Sequence, residues 1–164
     1  MKITVGQEQW LKLERQSMIN QITRLKSLKE EKNSLSNHKI AEDIEMLDNR
    51  KREINRILAT SEVVKNPNTR RMEIGSKARV FVKMGTDDRE LLEVELIERK
   101  VGITPTDDYY SIEIDSPLGR AIFHKEVGEK ARFRTMEGYR AQAEIVAIEF
   151  EREGLGKTIL KRKN

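Results

Sequence analysis

Tyr110-Ser111-Ile112-Glu113-Ile114-Asp115-Ser116-Pro117-Leu118-Gly119-Arg120-Ala121-Ile122-Phe123 changes its period halfway along. In the first half Ile112 and Ile114 alternate with polar neighbours, the pattern of a strand with one buried face. Ser116 and Pro117 then signal a helix start. A serine hydroxyl takes up one of the orphan N–H groups of a first turn, and proline suits the first helical position because no bonded N–H is lost there. The stretch therefore predicts a strand that runs directly into a short helix ending at Phe123.

More strands surround this corner. Ala78–Val82 follow a Gly75-Ser76 turn, and Leu91–Ile97 set Leu92, Val94 and Leu96 against charged neighbours. Ala131–Thr135 and Ala143–Phe150 alternate likewise, with Glu137-Gly138 as the turn between them. About five strands and one helix predict a curved antiparallel sheet packed on that helix. Gly102 and Gly128 read as turn glycines, and the chain from Glu151 onward as frayed and solvated.

Upstream the period is helical. Leu11, Met18, Ile22, Leu25 and Leu28 recur at steps of three, four and seven, and so do Ile40, Ile44, Leu47, Ile54 and Leu58, with Lys51 filling the gap. Each set is a narrow stripe, as a two-stranded coiled coil buries. Asn33-Ser34-Leu35-Ser36-Asn37-His38 lies between them and reads as a polar turn. Two helices with complementary stripes and a short connection predict an antiparallel hairpin, its first arm running from Trp10 to Lys32 for about 35 Å. The expected fold class is α+β. Its expected divisions are a coiled-coil hairpin at 1–64 with its tip at about 33–39, a linker at 65–75, the sheet domain at 76–152 and a basic tail at 153–164.

Charge follows the same divisions. Residues 1–75 hold 15 basic and 11 acidic side chains, and residues 76–164 hold 17 of each. Lys157, Lys161, Arg162 and Lys163 take four of the latter bases, which leaves the body from 76 to 156 net acidic. A basic arm and an acidic body suit different neighbours. Arg15, Arg24, Lys26, Lys29, Lys32 and Lys39 face only Glu30 and Glu31 between residues 15 and 39. Such an arm can follow a phosphate backbone, although no aromatic between Trp10 and Phe81 is present to stack on bases.

Composition excludes much chemistry. The chain has no cysteine, hence no thiolate nucleophile, disulfide or iron–sulfur cluster, and this agrees with a cytoplasmic setting. Its mean hydropathy is −0.70 and no apolar run approaches the roughly 20 residues of a membrane span. A polar, charged start reads as lacking a signal peptide. His38 and His124 are the two histidines, both read as surface residues, and no Gly-x-Ser-x-Gly elbow or phosphate-binding glycine loop occurs. Paired acids stand at Glu30-Glu31, Glu42-Asp43, Asp87-Asp88 and Asp107-Asp108. The last two pairs read as loop residues. The first two flank the tip, where carboxylates can hold a hydrated Mg²⁺ or simply solvate a helix end.

With Lys125-Glu126-Val127-Gly128-Glu129 after it, the stretch 112–123 resembles the C-terminal signature of the bacterial Gre transcript cleavage factors. Ile74-Gly75-Ser76-Lys77-Ala78-Arg79-Val80 is similar to the family's opening strand, and Ala143–Phe150 to its closing one. The hairpin with Ile3-Thr4, Gly6, Leu11 and Leu13 also resembles the family, so the likeness spans residues 1 to about 150. The resemblance implies an FKBP-like domain that docks on RNA polymerase and a hairpin that enters its secondary channel. It implies polymerase contacts at Asp115, Ser116 and Pro117. In cleavage-active members the tip reads Asp-Leu-x-Glu-Asn, and the two acids help the polymerase hold a second Mg²⁺. Here Ser34 and Asn37 stand at those positions, and the arms are shorter by about four residues, roughly 6 Å of reach.

These readings lead to an expected monomeric, cytoplasmic polymerase-binding regulator without a cofactor of its own and without efficient cleavage stimulation. Arg24, Lys26, Lys29 and Lys32 are its expected contacts with nascent RNA or the channel wall. The alternative is a cleavage-stimulating factor that uses Glu30, Glu31, Glu42 or Asp43 in place of the family acids. A scaffolding coil without polymerase is a further alternative. Prolyl isomerisation is disfavoured because the only Trp, Trp10, lies on the hairpin.

Overall fold

The computed structural model describes the backbone of residues 1–31, 34–65, 67, 70–85, 88–102, 109–152 and 156–161. In chain order the elements are β1 (Lys2–Thr4), α1 (Val5–Glu31), α2 (Ser34–Thr60), β2 (Glu62–Val64), β3 (Lys77–Met84), β4 (Asp88–Ile97), β5 (Tyr110–Glu113), α3 (Pro117–Ile122), β6 (Lys130–Arg134), β7 (Arg140–Arg152) and β8 (Gly156–Lys161). Two units result. One is Gly6–Ser61, and the other joins Met1–Val5 to Glu62–Asn164.

The first unit is the helical hairpin. Both helices have 27 residues, about 40 Å each. Leu11, Ile22 and Ile54 are buried, and Met18, Leu25, Leu28, Ile40, Ile44, Leu47 and Leu58 are half-buried, so the stripes seen in the sequence are the buried sides. Fully burying one such aliphatic side chain is worth about 1.5–3 kcal/mol. Arg50 clamps Glu14 on the opposite arm through two bonds of 3.0 and 3.1 Å, and Arg15 donates to Asn55 at 3.3 Å. Two expectations change. α1 begins at Val5, ahead of Trp10, and residues 34–39, read as part of the tip, are already helical. Ser34, Ser36 and Asn37 are polar enough to suggest a turn, yet serine and asparagine are also tolerated in an opening helical turn.

The second unit is a curled sheet in the order β5-β4-β3-β7-β6, with β8 also paired to β7. The sheet is mixed rather than wholly antiparallel, because β4 and β5 run parallel. A parallel pair needs a crossover of about a dozen residues, and the segment between Ile97 and Tyr110 has that length. β7 is long enough to serve two partners on one side. Arg140–Glu144 pair with β6, and Ala147–Arg152 pair with β8. A register shift opposite Arg79 and Val80 leaves Val146 as an extra residue in β7. This bulge brings Ile145 and Ile148, an odd and an even position, into the same core. That core also holds Met72, Ala78, Val80, Val94, Leu96, Ile122 and Ala143, with Leu118, Phe123 and Phe133 packed against it.

The expected domain edges move. β1 and β2 pair in parallel, Lys2 with Glu62 and Thr4 with Val64, so they belong with the sheet unit rather than with a 1–64 hairpin. Ile3 is fully buried, and the Lys2 amide donates to Glu98 at 2.7 Å. In the stretch read as a linker, Met72 is fully buried and exchanges backbone bonds with Lys125 and His124 at 2.8 Å each. Asn66, Asn68 and Thr69 of that linker lie outside the described residues, as do Asp87, Asp107 and Asp108. The tail read as frayed contains β8; its Arg162 and Lys163 lie outside the described residues. Among the described residues no helix is long and apolar enough to cross a membrane.

Candidate functional site

The strand-to-helix corner is built as its sequence requires. β5 is pinned at its end, where Ile114 donates to the Ile97 carbonyl at 2.9 Å and the Lys100 amide to Glu113 at 3.1 Å. Ser116 is the N-cap of α3, with φ −70° and ψ 157°, and Pro117 opens the helix. The Ser116 hydroxyl accepts from the Gly119 amide at 3.0 Å and donates to the Glu113 carbonyl at 2.7 Å. The Ser116 amide donates to that same carbonyl at 3.0 Å. The serine is therefore committed to holding the corner.

Gly119 is the residue that reading the sequence missed. It is buried, and a Cβ there would lie 1.9 Å from the Glu113 carbonyl oxygen. No periodicity marks such a close approach; the signal available was a glycine inside a helix, which is costly unless packing demands it. Of the three residues expected to bind a partner, Asp115 is exposed at the apex, while Ser116 and Pro117 are half-buried. Asp115 offers a carboxylate on a rigid corner, Pro117 a fixed apolar edge, and Ser116 the support for both.

The hairpin end has a different character. Asn37 is half-buried in the opening of α2, and its Oδ1 has no hydrogen-bond partner among the described residues. His38 Nε2 lies 3.3 Å from Glu42 Oε1, with both side chains largely exposed. Glu30 is exposed and Asp43 half-buried. Lys32, Asn33 and the side chains of Glu31 and Ser34 lie outside the described residues. No three His, Asp or Glu side chains among the described residues converge on a common metal position. An amide such as Asn37 is a poorer ligand than a carboxylate for Mg²⁺, a hard cation.

Arg24, Lys26 and Lys29 are exposed on α1, but they do not form one stripe. At 3.6 residues per turn, Arg24 and Lys26 lie about 200° apart around the helix. The Asp48 carboxyl pKa on α2 is lowered chiefly by the hydrogen bond from Lys51, and the charge of Lys26 is only a minor cause. His124 is exposed, stacks on Phe123 at 3.8 Å between ring centres and takes a left-handed φ of 63°.

The chain is built from a long helical hairpin, a curled mixed sheet and one short capped helix. Residues 73–150 match the family model described as transcription elongation factor, GreA/GreB, C-terminal domain. The match covers a little under half of the chain. Similar solved structures include GreA factor homolog 1 (Gfh1) of Thermus thermophilus, 17% identical over 90% of this chain and 97% of that one, with a TM-score of 0.39. Gfh1 of Thermus aquaticus is 16% identical over 90% and 97%, also with a TM-score of 0.39. A GreA/GreB elongation factor of Nitrosomonas europaea is 18% identical over 90% and 98%, with a TM-score of 0.35. No curated protein matches the chain.

Proposed function

We propose that this chain binds bacterial RNA polymerase through its Asp115-Ser116-Pro117 corner and inserts its hairpin into the secondary channel without efficiently stimulating transcript cleavage. The reading is supported by the match of residues 73–150 to the GreA/GreB C-terminal domain and by the helical hairpin that precedes it, in which the resemblance aligns Ser34 and Asn37 with the family's two acids. Neither residue supplies negative charge. The protein works as a cytoplasmic monomer without a cofactor of its own. It is not an enzyme; by occupying the channel it modulates pausing, initiation or nucleotide access. Arg24, Lys26, Lys29 and Lys32 contact extruded RNA or the channel wall.

The test uses backtracked transcription complexes with an acid-tipped relative as reference. Short 3′ RNA fragments are expected to stay at the level of polymerase alone, while the chain co-precipitates with core polymerase. Asp115→Ala with Pro117→Ala should weaken that retention about tenfold or more, the loss expected from a docking hot spot. Fragment release abolished by Glu42→Ala would instead support relocated acids, and undiminished retention of the double variant would remove the docking assignment.

A further inference from the structure

The sheet face opposite the core divides by charge. Near the start of β3, acids answer bases. Arg79 meets Glu93 at 2.9 Å and Glu149 at 3.3 Å, and Lys77 sits 5.1 Å from the centre of the Tyr109 ring. Near its end they do not. Lys83 on β3, Gln142 on β7 and Arg132 on β6 occupy one register row, and Arg140 and Arg134 pair directly in the next. Lys83, Arg132, Arg134 and Arg140 line one open cleft of about 580 Å³.

Among the described residues none of these four cations has an ion-pair partner; Glu144, one row away, is met by Lys130 at 3.7 Å. Like charges placed directly opposite across two strands are destabilising. Arg134 against Arg140 is such a pair, within a body that is net acidic over residues 76–156. The concentration is therefore local and costs the fold something, which points to an anionic ligand.

Its extent selects the ligand. Arg132 and Arg134 are two residues apart on one strand, about 6.7 Å, and β3 to β6 spans two strand spacings, about 10 Å. Charges spread over that area suit successive phosphates better than a single one. In the turn that joins β6 to β7, Tyr139 is 67% exposed and Met136 87% exposed, and an exposed ring is a surface on which a base can stack.

We propose that this cleft binds the sugar–phosphate backbone of a single-stranded nucleic acid. The proposal does not depend on channel insertion or on the hairpin cations. The full chain is titrated into fluorescein-labelled oligothymidylate and oligouridylate of about 20 nucleotides, a length that exceeds one site. Anisotropy is followed between about 50 and 200 mM salt.

Arg132→Gln, Arg134→Gln and Arg140→Gln together should weaken binding tenfold or more at low salt. They should also flatten the log–log salt slope by about 2, at roughly 0.7 per phosphate contact on a single strand. Arg52→Gln with Arg56→Gln, two exposed hairpin cations outside the proposed RNA contacts, should leave both quantities within twofold of the parent. Arg134→Gln alone, which relieves the like-charge pair, should melt no lower than the parent; a lower melt would show that the cluster is structural. The proposal fails if the parent does not bind, if the cleft variant binds as the parent does, or if the hairpin variant shows the loss instead. Displacement by inorganic triphosphate or by polyglutamate at equal charge would also overturn it, reassigning the cleft to a small polyphosphate or an acidic polypeptide.

Discussion

Gly119→Ala tests the corner most severely. The added methyl would sit 1.9 Å from the Glu113 carbonyl oxygen, 2.8 Å from its carbon and 2.9 Å from the Ser116 hydroxyl. None of these is the free end of a flexible side chain. Two are backbone atoms at the end of β5, and the third is locked between the Gly119 amide and the Glu113 carbonyl. Forcing a methyl into a packed site costs about 1–3 kcal/mol, and this contact belongs at the upper end. Displacing the cap adds about 1 kcal/mol. The better helix propensity of alanine returns at most about 1 kcal/mol. The net is about 3 kcal/mol, which corresponds to a fall of roughly 10 °C in the melting temperature of a unit this size. Calorimetry on the full chain measures it, with Gly138→Ala as the reference. That glycine has φ +88° but nothing within 4 Å of a Cβ, so its cost is the left-handed backbone alone, about 1–2 kcal/mol. If Gly119→Ala melted within about 2 °C of the parent, or above Gly138→Ala, the account of the corner would be wrong.

Ser116→Ala should cost about 1 kcal/mol by urea unfolding, because it removes one cap bond and leaves the glycine packing in place. Glu14→Gln should lower the hairpin's helix signal on heating by no more than about 1 kcal/mol, the range for a pair that is part exposed. Raising the salt should shrink that difference. Burial raises the Glu95 pKa, while Lys77 and the Thr4 hydroxyl oppose the shift. A carboxyl raised in the folded state stabilises most when protonated, so its contribution is complete below the ordinary range near 4.5 and is lost as the pH rises through the folded value. Glu95→Gln should therefore raise the melting temperature at pH 7–8, with the gain closing toward pH 4.5. A gain that did not change with pH would contradict this.

What could be read from the residues was whatever repeats locally. Ser116 and Pro117 announce α3 because capping and a fixed φ act over four residues. The hairpin stripes announce themselves because Leu11 through Leu28 obey one period. β1 and β2 have three residues each, too few for a period, and their partnership joins positions some sixty residues apart. β8 was hidden by its lysines, which composition assigns to a tail although its backbone completes the edge of β7. The basic cleft was hidden for another reason. Its cations come from positions 83, 132, 134 and 140, alternating with apolar residues on three strands, inside a segment whose summed charge is negative. At the tip the sequence named the substitutions at Ser34 and Asn37 but placed the turn too broadly, since polar residues in an opening helical turn look like a loop.

The pairing of β1 with β2 also sets an order of events at the ribosome. β1 is made first, and its partner follows only after about 60 more residues, some 3–12 s at ordinary elongation rates. During that interval the nascent chain holds a buried-type strand, with Ile3 at its centre, and nothing for it to pair with. The hairpin lies wholly within the interval and can close before the sheet unit has begun to form. The sheet unit, split in sequence by the hairpin, can only be completed late, around an insertion that is already folded.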